Sequence, residues 1–162
     1  METALSDLQG FGILSESDYP YDQDKCQRLP RPDEDKAARS EMVLKNWKVA
    51  GDLSRVKDSI ASETPALVGL NTRARFDTYT TLSANNVYSQ SSSENIVGGH
   101  ALLIVGYDDN LGAFQVMNSY GSSWGYQGFA WISYDTINQD ALVDATAADK
   151  ELRLYVVNVT DG

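Results

Sequence analysis

The stretch that decides the fold runs from Gly98 to Gly128 and reads GGHALLIVGYDDNLGAFQVMNSYGSSWGYQG. Two apolar segments, residues 101–107 and 113–117, are separated by a turn rich in Asp, Asn and Gly, and a third apolar segment follows at residues 129–134. Short apolar runs bounded by such turn residues are typical of strands. The sequence therefore predicts an antiparallel meander of three strands.

Two polar side chains stand at the ends of these strands. His100 begins the first strand, and Asn118 follows the second, 18 residues later. In a hairpin they come alongside each other, and the asparagine oxygen can accept the imidazole N–H. That bond fixes the tautomer of the ring and aims its other nitrogen outwards, which is the orienting role in a Cys-His-Asn set. Trp124 can cover the bond and keep water away, and Gly121 and Gly125 allow a tight backbone around the indole.

A packing role is the alternative for this histidine. A single histidine at the start of a strand is more often a packed or half-exposed residue than a catalyst. An Asn-Ser-x-Gly turn is also common. The combination of His100 and Asn118 in this order, between these strands, is much less common and favours a catalytic pair.

The rest of the chain predicts helices first and strands later. The apolar spacing indicates a helix from Thr3 to Leu14, stopped by Gly10 and Gly12. The further predicted elements are an extended loop (Ser15 to Asp22), a polar turn (Pro30 to Asp35), a strand (Glu41 to Ala50), a helix capped by Asp52 (Gly51 to Ser62), a buried strand (Ala66 to Leu70), a surface loop (Ser83 to Glu94), a linker or short helix (Ala141 to Lys150) and a last strand (Leu152 to Val159). This order predicts an α+β class.

These segments resemble the papain-like cysteine peptidases, the C1 family. Residues 99–107 are similar to the family's catalytic-histidine strand, and NSYGSSWG at residues 118–125 resembles its NSWGxxWG segment. Residues 4–22 resemble the end of a helix followed by a YPY loop, and residues 52–70 resemble a short helix followed by a strand. The resemblance implies a partial papain-like domain over residues 1–162: mainly the antiparallel, sheet-rich right-hand domain at 41–160, with a remnant of the helical left-hand domain at 1–22.

The resemblance also implies roles for four residues. His100 corresponds to the general base, Asn118 to the residue that orients it, and Trp124 to the tryptophan that shields the pair. Tyr120 takes the place of the first tryptophan of NSWG and keeps an aromatic wall there. The implied function is that of a cysteine-type peptidase acting on peptide or protein substrates.

A papain-like nucleophile is not found in the sequence. The family's cysteine lies in a C-[GS]-[SA]-C-W type segment roughly 130–150 residues before the histidine, whereas 99 residues precede His100. The one cysteine, Cys26, lies in DKCQR and resembles the structural cysteine that follows the YPY loop. No Gly-x-Ser-x-Gly elbow offers a serine instead. We therefore expect the chain to be inactive alone.

Three explanations of this gap stay open. The cysteine-bearing half is on another chain, or the sequence is a fragment of a gene, or the protein is a degenerate member that binds without cutting. The last is a non-catalytic pseudo-enzyme or binding module on the same fold. A partial fold exposes the face that its missing half would cover, so we expect a partner chain or self-association.

Composition excludes several other classes. The net charge is −10, from 13 basic and 23 acidic residues, and such a field repels nucleic acid. Neither an 18-residue apolar run nor a signal-peptide pattern at residues 1–10 is seen, which predicts a soluble protein without a membrane partner. One cysteine and one histidine are a poor start for a zinc site. We expect no metal and no cofactor.

Overall fold

The computed structural model describes residues 2–22, 24, 31–81, 83–141 and 152–161. The chain divides into two compact units, residues 1–47 with 157–162, and residues 48–156. The predicted histidine and asparagine both lie in the second unit, whereas Cys26 lies outside the described residues. No helix among the described residues has the length and apolar character to cross a membrane.

The first unit contains two helices, α1 (Glu2–Phe11) and α2 (Pro32–Glu41). The predicted first helix is confirmed: it ends before Gly12, which has φ 77° and whose N–H donates to the carbonyl of Leu8 at 3.0 Å. Residues 15–19, predicted as extended, form a hydrogen-bonded turn instead.

Helix α2 was not predicted. The polar turn expected from Pro30 to Asp35 is wrong from Pro32 onwards, because Pro32 begins a helix. Proline suits the first helical position, since its fixed φ is helical and no N–H is needed there. The Glu34 carboxylate also accepts the backbone N–H of Arg31 at 2.8 Å, which satisfies a donor at the helix start. Local charge and capping therefore override the turn signal of the two prolines.

The second unit begins within strand β1 (Met42–Gly51) and continues into helix α3 (Leu53–Ala61). The predicted cap is confirmed, since the Asp52 side chain accepts the N–H of Arg55 at 2.9 Å. The remaining elements are β2 (Ala66–Arg73), β3 (Val87–Tyr88), β4 (Ile96–Asp108), β5 (Ala113–Met117), β6 (Phe129–Ser133), α4 (Tyr134–Asp140) and β7 (Leu152–Asp161).

The strands form a sheet in the order β1-β7-β2-β4-β5-β6-β3. The predicted antiparallel meander is confirmed, because β4 pairs with β5 and β5 with β6, both antiparallel. Two short elements, strand β3 and helix α4, were not predicted. Val87 and Tyr88, in the predicted surface loop, pair parallel with β6. The third strand of the meander ends at Ser133, whose side chain caps α4 by accepting the N–H of Thr136 at 3.2 Å. Residues 142–150, predicted as a linker or short helix, lie outside the described part.

Alternate residues of the central strands form the core. Side chains on one face of β2, β4, β5 and β6 are buried, as expected from the two-residue period of a strand. Val56 of α3 and Ile137 of α4 pack against this face and are fully buried. The core residues of these four strands are Ala66, Val68, Leu70, Leu102, Ile104, Phe114, Val116, Ala130 and Ile132.

A buried ion pair anchors the segment that follows β2. The guanidinium of Arg73 lies 2.6 Å from the Asp140 carboxylate, and both side chains are less than 10% exposed. Gln90 donates to the same carboxylate at 2.9 Å and to the carbonyl of Asn71 at 3.0 Å. The hydrogen bond that the guanidinium donates to Asp140 raises the pKa of Arg73, and desolvation opposes this shift. The buried charges are thus paired and hydrogen-bonded, as burial requires.

A tight turn connects β5 to β6. The N–H of Asn118 donates to the carbonyl of Gly128 at 3.0 Å, and the N–H of Gly125 donates to the carbonyl of Tyr79 at 2.8 Å. Gly125 has φ 58°, and a Cβ at this position would overlap the carbonyl oxygen of Phe129. Only glycine fits there, so the predicted need for glycine in this turn is confirmed.

Replacing Gly125 by alanine should therefore cost about 2–4 kcal/mol of unfolding free energy, since left-handed backbone strain adds to a backbone overlap. Gly99→Ala is the matched control. A Cβ on Gly99 meets no atom within 4 Å, and its φ is not in the left-handed region. It should change stability by less than about 0.5 kcal/mol. Urea unfolding of both variants measures this, and equal costs would contradict the assignment.

Candidate active site

The histidine and the asparagine of the predicted pair meet as the strand pairing requires. His100 lies on β4 opposite Leu70 of β2 and is half-buried. In the β4–β5 register Leu103 faces Met117, so the next residue, Asn118, comes beside Leu102, two residues along the same face from His100. The imidazole Nε2 lies 2.8 Å from the Asn118 Oδ1. The predicted hydrogen-bonding distance is confirmed.

The hydrogen bonds of Asn118 determine the tautomer of the imidazole. The backbone N–H of Ser119 also donates to Asn118 Oδ1, at 2.7 Å. A backbone N–H can only donate, so the atom facing it is the amide oxygen and not the amide nitrogen. That oxygen can only accept from the imidazole, which places the proton of a neutral ring on Nε2. The lone pair of His100 is then on Nδ1, the nitrogen able to take up a proton.

The aromatic residue against the imidazole is Tyr120. Its ring centroid lies 4.6 Å from that of His100, with 34° between the planes, which is a stacking distance. Phe76, fully buried, is the second aromatic neighbour, at 5.9 Å and 59°.

Trp124 lies deeper than the sequence suggested. It was expected over the His–Asn pair, whereas its aromatic contacts are with Phe76, Tyr79 and Tyr120. The side chain is 3% exposed, and its indole N–H donates to the carbonyl of Phe76 at 2.8 Å. A buried indole N–H needs an acceptor, and this bond draws the ring into the core. Trp124 therefore supports the rings that surround the imidazole, and Tyr120 occupies the position expected of it.

Two neighbours of the site were not identified from the sequence. Phe76 and Asp77 lie more than twenty residues before His100, in the turn that follows β2. The hydroxyl of Tyr120 donates to the Asp77 carboxylate at 3.3 Å. Burial is the largest cause that raises the pKa of Tyr120, followed by the charge of Asp77 and this hydrogen bond. No sequence pattern pointed to either residue, because only the folding of the chain brings Phe76 against His100 and Asp77 against Tyr120.

One side of the site is uncovered in the described part of the chain. The Asn118 Nδ2 is buried and has no hydrogen-bond partner among the described residues. The first half of β4 is exposed, and Ile96 and Val97 are 54% and 55% accessible. A Cβ on Gly99, next to the histidine, would meet only open space. The strand half that leads to His100 is therefore exposed in the part of the chain that the structure describes.

A pocket of about 240 Å³ lies elsewhere in the second unit. Gln115, Tyr126, Phe129 and Trp131 are among its lining residues, and none of the four predicted site residues lines it. Among the described residues, no three His, Cys, Asp or Glu side chains are grouped as a metal site would need.

Comparison with known proteins identifies a family for the chain. Residues 1–148 match the sequence model of the papain family cysteine proteases. An uncharacterized peptidase C1-like protein of Acanthamoeba polyphaga mimivirus is 24% identical over 99% of this chain and 54% of its own length. A cathepsin L-like proteinase of Fasciola hepatica is 28% identical over 80% of this chain and 38% of its own. The chain thus spans about half or less of these curated relatives.

Solved structures show the same fold. Xylellain, a cysteine protease from Xylella fastidiosa, superposes with a TM-score of 0.74 at 21% identity, over 97% of this chain and 60% of its own. The bromelain protease from Ananas comosus gives a TM-score of 0.59 at 18% identity, over 97% and 66%. The papain-like α+β fold predicted from the sequence is confirmed. Because the family match covers most of its residues, the chain belongs to the papain family of cysteine proteases.

Proposed function

We propose that this chain supplies the general base and its orienting residue for peptide-bond hydrolysis by a thiol outside these 162 residues. The observation that carries the proposal is the 2.8 Å bond between His100 Nε2 and Asn118 Oδ1, which leaves Nδ1 as the proton acceptor. The stacked ring of Tyr120 supports it, because an aromatic wall keeps water from the bond.

The proposed reaction follows from these positions. His100 Nδ1 takes the proton of the thiol, and Asn118 Oδ1 stabilises the resulting imidazolium through its Nε2–H. The thiolate attacks the peptide carbonyl, and the imidazolium returns its proton to the leaving amine as the C–N bond breaks. Water then attacks the thioester and gives a proton to Nδ1, the C–S bond breaks to release the acid, and the imidazolium returns that proton to the departing thiolate.

Three observations support a thiol on another segment. The only cysteine of the chain, Cys26, lies in DKCQR, without the residues that flank a papain-like nucleophile. Asn118 Nδ2 is a buried donor with no acceptor among the described residues, and a buried donor normally has one. Ile96 and Val97 form an exposed apolar stretch at the edge of β4, four and three residues before the histidine. A cysteine-bearing segment that packs on this edge accounts for all three, and the chain alone then lacks thiol-peptidase activity.

Activity of the chain with and without such a segment tests the proposal. The chain is expressed alone and together with a segment of CGSCW type encoded next to it, and the turnover of a fluorogenic peptide is measured. We expect turnover only in the combination. His100→Ala should reduce it by about 10²–10⁴-fold, the range of general acid–base catalysis.

The controls separate this proposal from its alternatives. Turnover by the chain alone that Cys26→Ser abolishes would contradict the inactivity of the chain. Turnover in the combination that survives His100→Ala would contradict the role of the histidine. If no CGSCW-type segment is encoded nearby and the chain alone binds peptides without cutting them, the protein is a binding module on the same fold.

The His–Asn bond can be tested without any thiol. The chain has a single histidine, so its ring proton gives one unambiguous NMR signal after ¹⁵N-histidine labelling. At a pH where the ring is neutral, Asn118→Ala should speed the solvent exchange of the Nε2 proton by about tenfold, the effect of losing one hydrogen bond. Asn95→Ala, at an exposed position, should leave the rate unchanged. An unchanged rate in Asn118→Ala would show that the two side chains are not bonded in solution.

A further inference from the structure

Tyr120 has an unusual combination of exposure and order. It lies on the turn after β5 and is 43% exposed, yet its ring is stacked on the imidazole at 4.6 Å. An exposed aromatic side chain on a turn has several rotamers open to it. Besides its ring contacts with His100 and Trp124, Tyr120 therefore needs a second kind of contact, one to its hydroxyl, to stay in one place.

The second contact is the carboxylate of Asp77. It accepts the Tyr120 hydroxyl at 3.3 Å and comes from a part of the chain 43 residues away. This carboxylate stands on a fixed support: the N–H of Phe76 donates to the carbonyl of Arg73 at 2.8 Å, and Arg73 is itself held by the buried pair with Asp140.

The Tyr120 hydroxyl can donate to the Asp77 carboxylate throughout the neutral pH range. Burial, the charge of Asp77 and the hydrogen bond all raise the pKa of the Tyr120 phenol. The hydroxyl therefore stays protonated and remains a donor throughout the neutral range. The acceptor is a carboxylate, and at 3.3 Å the bond is longer than most O–H···O bonds, so its contribution is that of a partly exposed hydrogen bond.

We propose that Asp77 is a positioning residue: by holding the hydroxyl of Tyr120, it keeps the tyrosine ring over the His100–Asn118 bond. This inference rests on the proposed function, because it assigns Asp77 a part in keeping the general base oriented. Asp77 acts through Tyr120 and is not itself in contact with the imidazole. A phenylalanine at position 120 would stack in the same place but would lack this hydrogen bond.

Two other readings of Asp77 predict different behaviour. If the carboxylate acted only by its charge near the imidazole, asparagine and alanine at position 77 would have the same effect. If it acted only on the turn that follows β2, its removal would add to the effect of Tyr120→Phe. The proposed hydrogen bond predicts a milder effect of asparagine than of alanine, because an asparagine oxygen still accepts from the hydroxyl. It also predicts no additivity, because Asp77 and Tyr120 are the two partners of one bond.

Exchange of the His100 Nε2 proton in the full chain distinguishes these readings. We measure it by NMR in Asp77→Ala, Asp77→Asn, Tyr120→Phe and the double variant Asp77→Ala with Tyr120→Phe. Asp77→Ala and Tyr120→Phe should each speed exchange by roughly three- to tenfold, the effect of one partly exposed hydrogen bond. The double variant should be no faster than either single variant, and Asp77→Asn should stay near the unmodified chain. Asp135→Ala removes a carboxylate from another exposed position and should have no effect.

The results separate this inference from the proposed function. The inference is overturned if Asp77→Ala exchanges like the unmodified chain, if Asp77→Asn behaves like Asp77→Ala, or if the two single effects add. Those results leave the His–Asn bond intact, provided that Asn118→Ala still speeds exchange. If Asn118→Ala has no effect, the orienting bond itself is absent and the proposed function fails with it. Unfolding curves recorded on each variant ensure that the rates compared belong to folded protein.

Discussion

The antiparallel pairing of β4 with β5 is the constraint on which the rest of the site depends. Side chains alternate along a strand, so a shift by one residue would turn Asn118 away from the face that carries His100. The register is held on that face by Leu102, Ile104 and Val116, all buried in the core. The packing of apolar side chains, and not an attraction between the two polar ones, is what brings imidazole and amide together.

The neighbours of the pair are positioned by a second, polar constraint. The buried Arg73–Asp140 pair is satisfied by Gln90, and it fixes where the chain leaves β2. The turn that follows presents Phe76 to the imidazole and to the indole of Trp124. A buried charged pair with incomplete hydrogen bonding would be costly here. The Arg73–Asp140 pair is tolerated because the two side chains bond each other and Gln90 donates to the same carboxylate. The site thus depends both on the apolar packing of the sheet and on the buried Arg73–Asp140 pair.

The aromatic residues show how a tyrosine is accommodated at position 120, where the papain-like NSWG segment has a tryptophan. Tyrosine at position 120 is smaller than an indole but carries a hydroxyl, which needs a partner when the ring is partly buried. The chain provides that partner in Asp77. The indole N–H of Trp124 has its own acceptor in the carbonyl of Phe76, and the indole packs against the ring of Tyr120. Each polar handle of these rings is therefore satisfied within the second unit, whereas the amide nitrogen of Asn118 finds no acceptor among the residues described there.

By itself the sequence determined the elements whose signals are local. Its short apolar runs, bounded by turn residues, specified the three strands of the meander, the side chain of Asp52 marked the start of α3, and the spacing of His100 and Asn118 across one hairpin placed them together. Short elements escaped, since a two-residue strand such as Val87–Tyr88 has no period of its own and exists only through pairing with β6. Tertiary structure alone decided that Tyr120 and not Trp124 covers the imidazole, and that Asp77 meets the hydroxyl of Tyr120. Both depend on where a buried N–H and a hydroxyl find acceptors, and those acceptors lie some forty residues away along the chain.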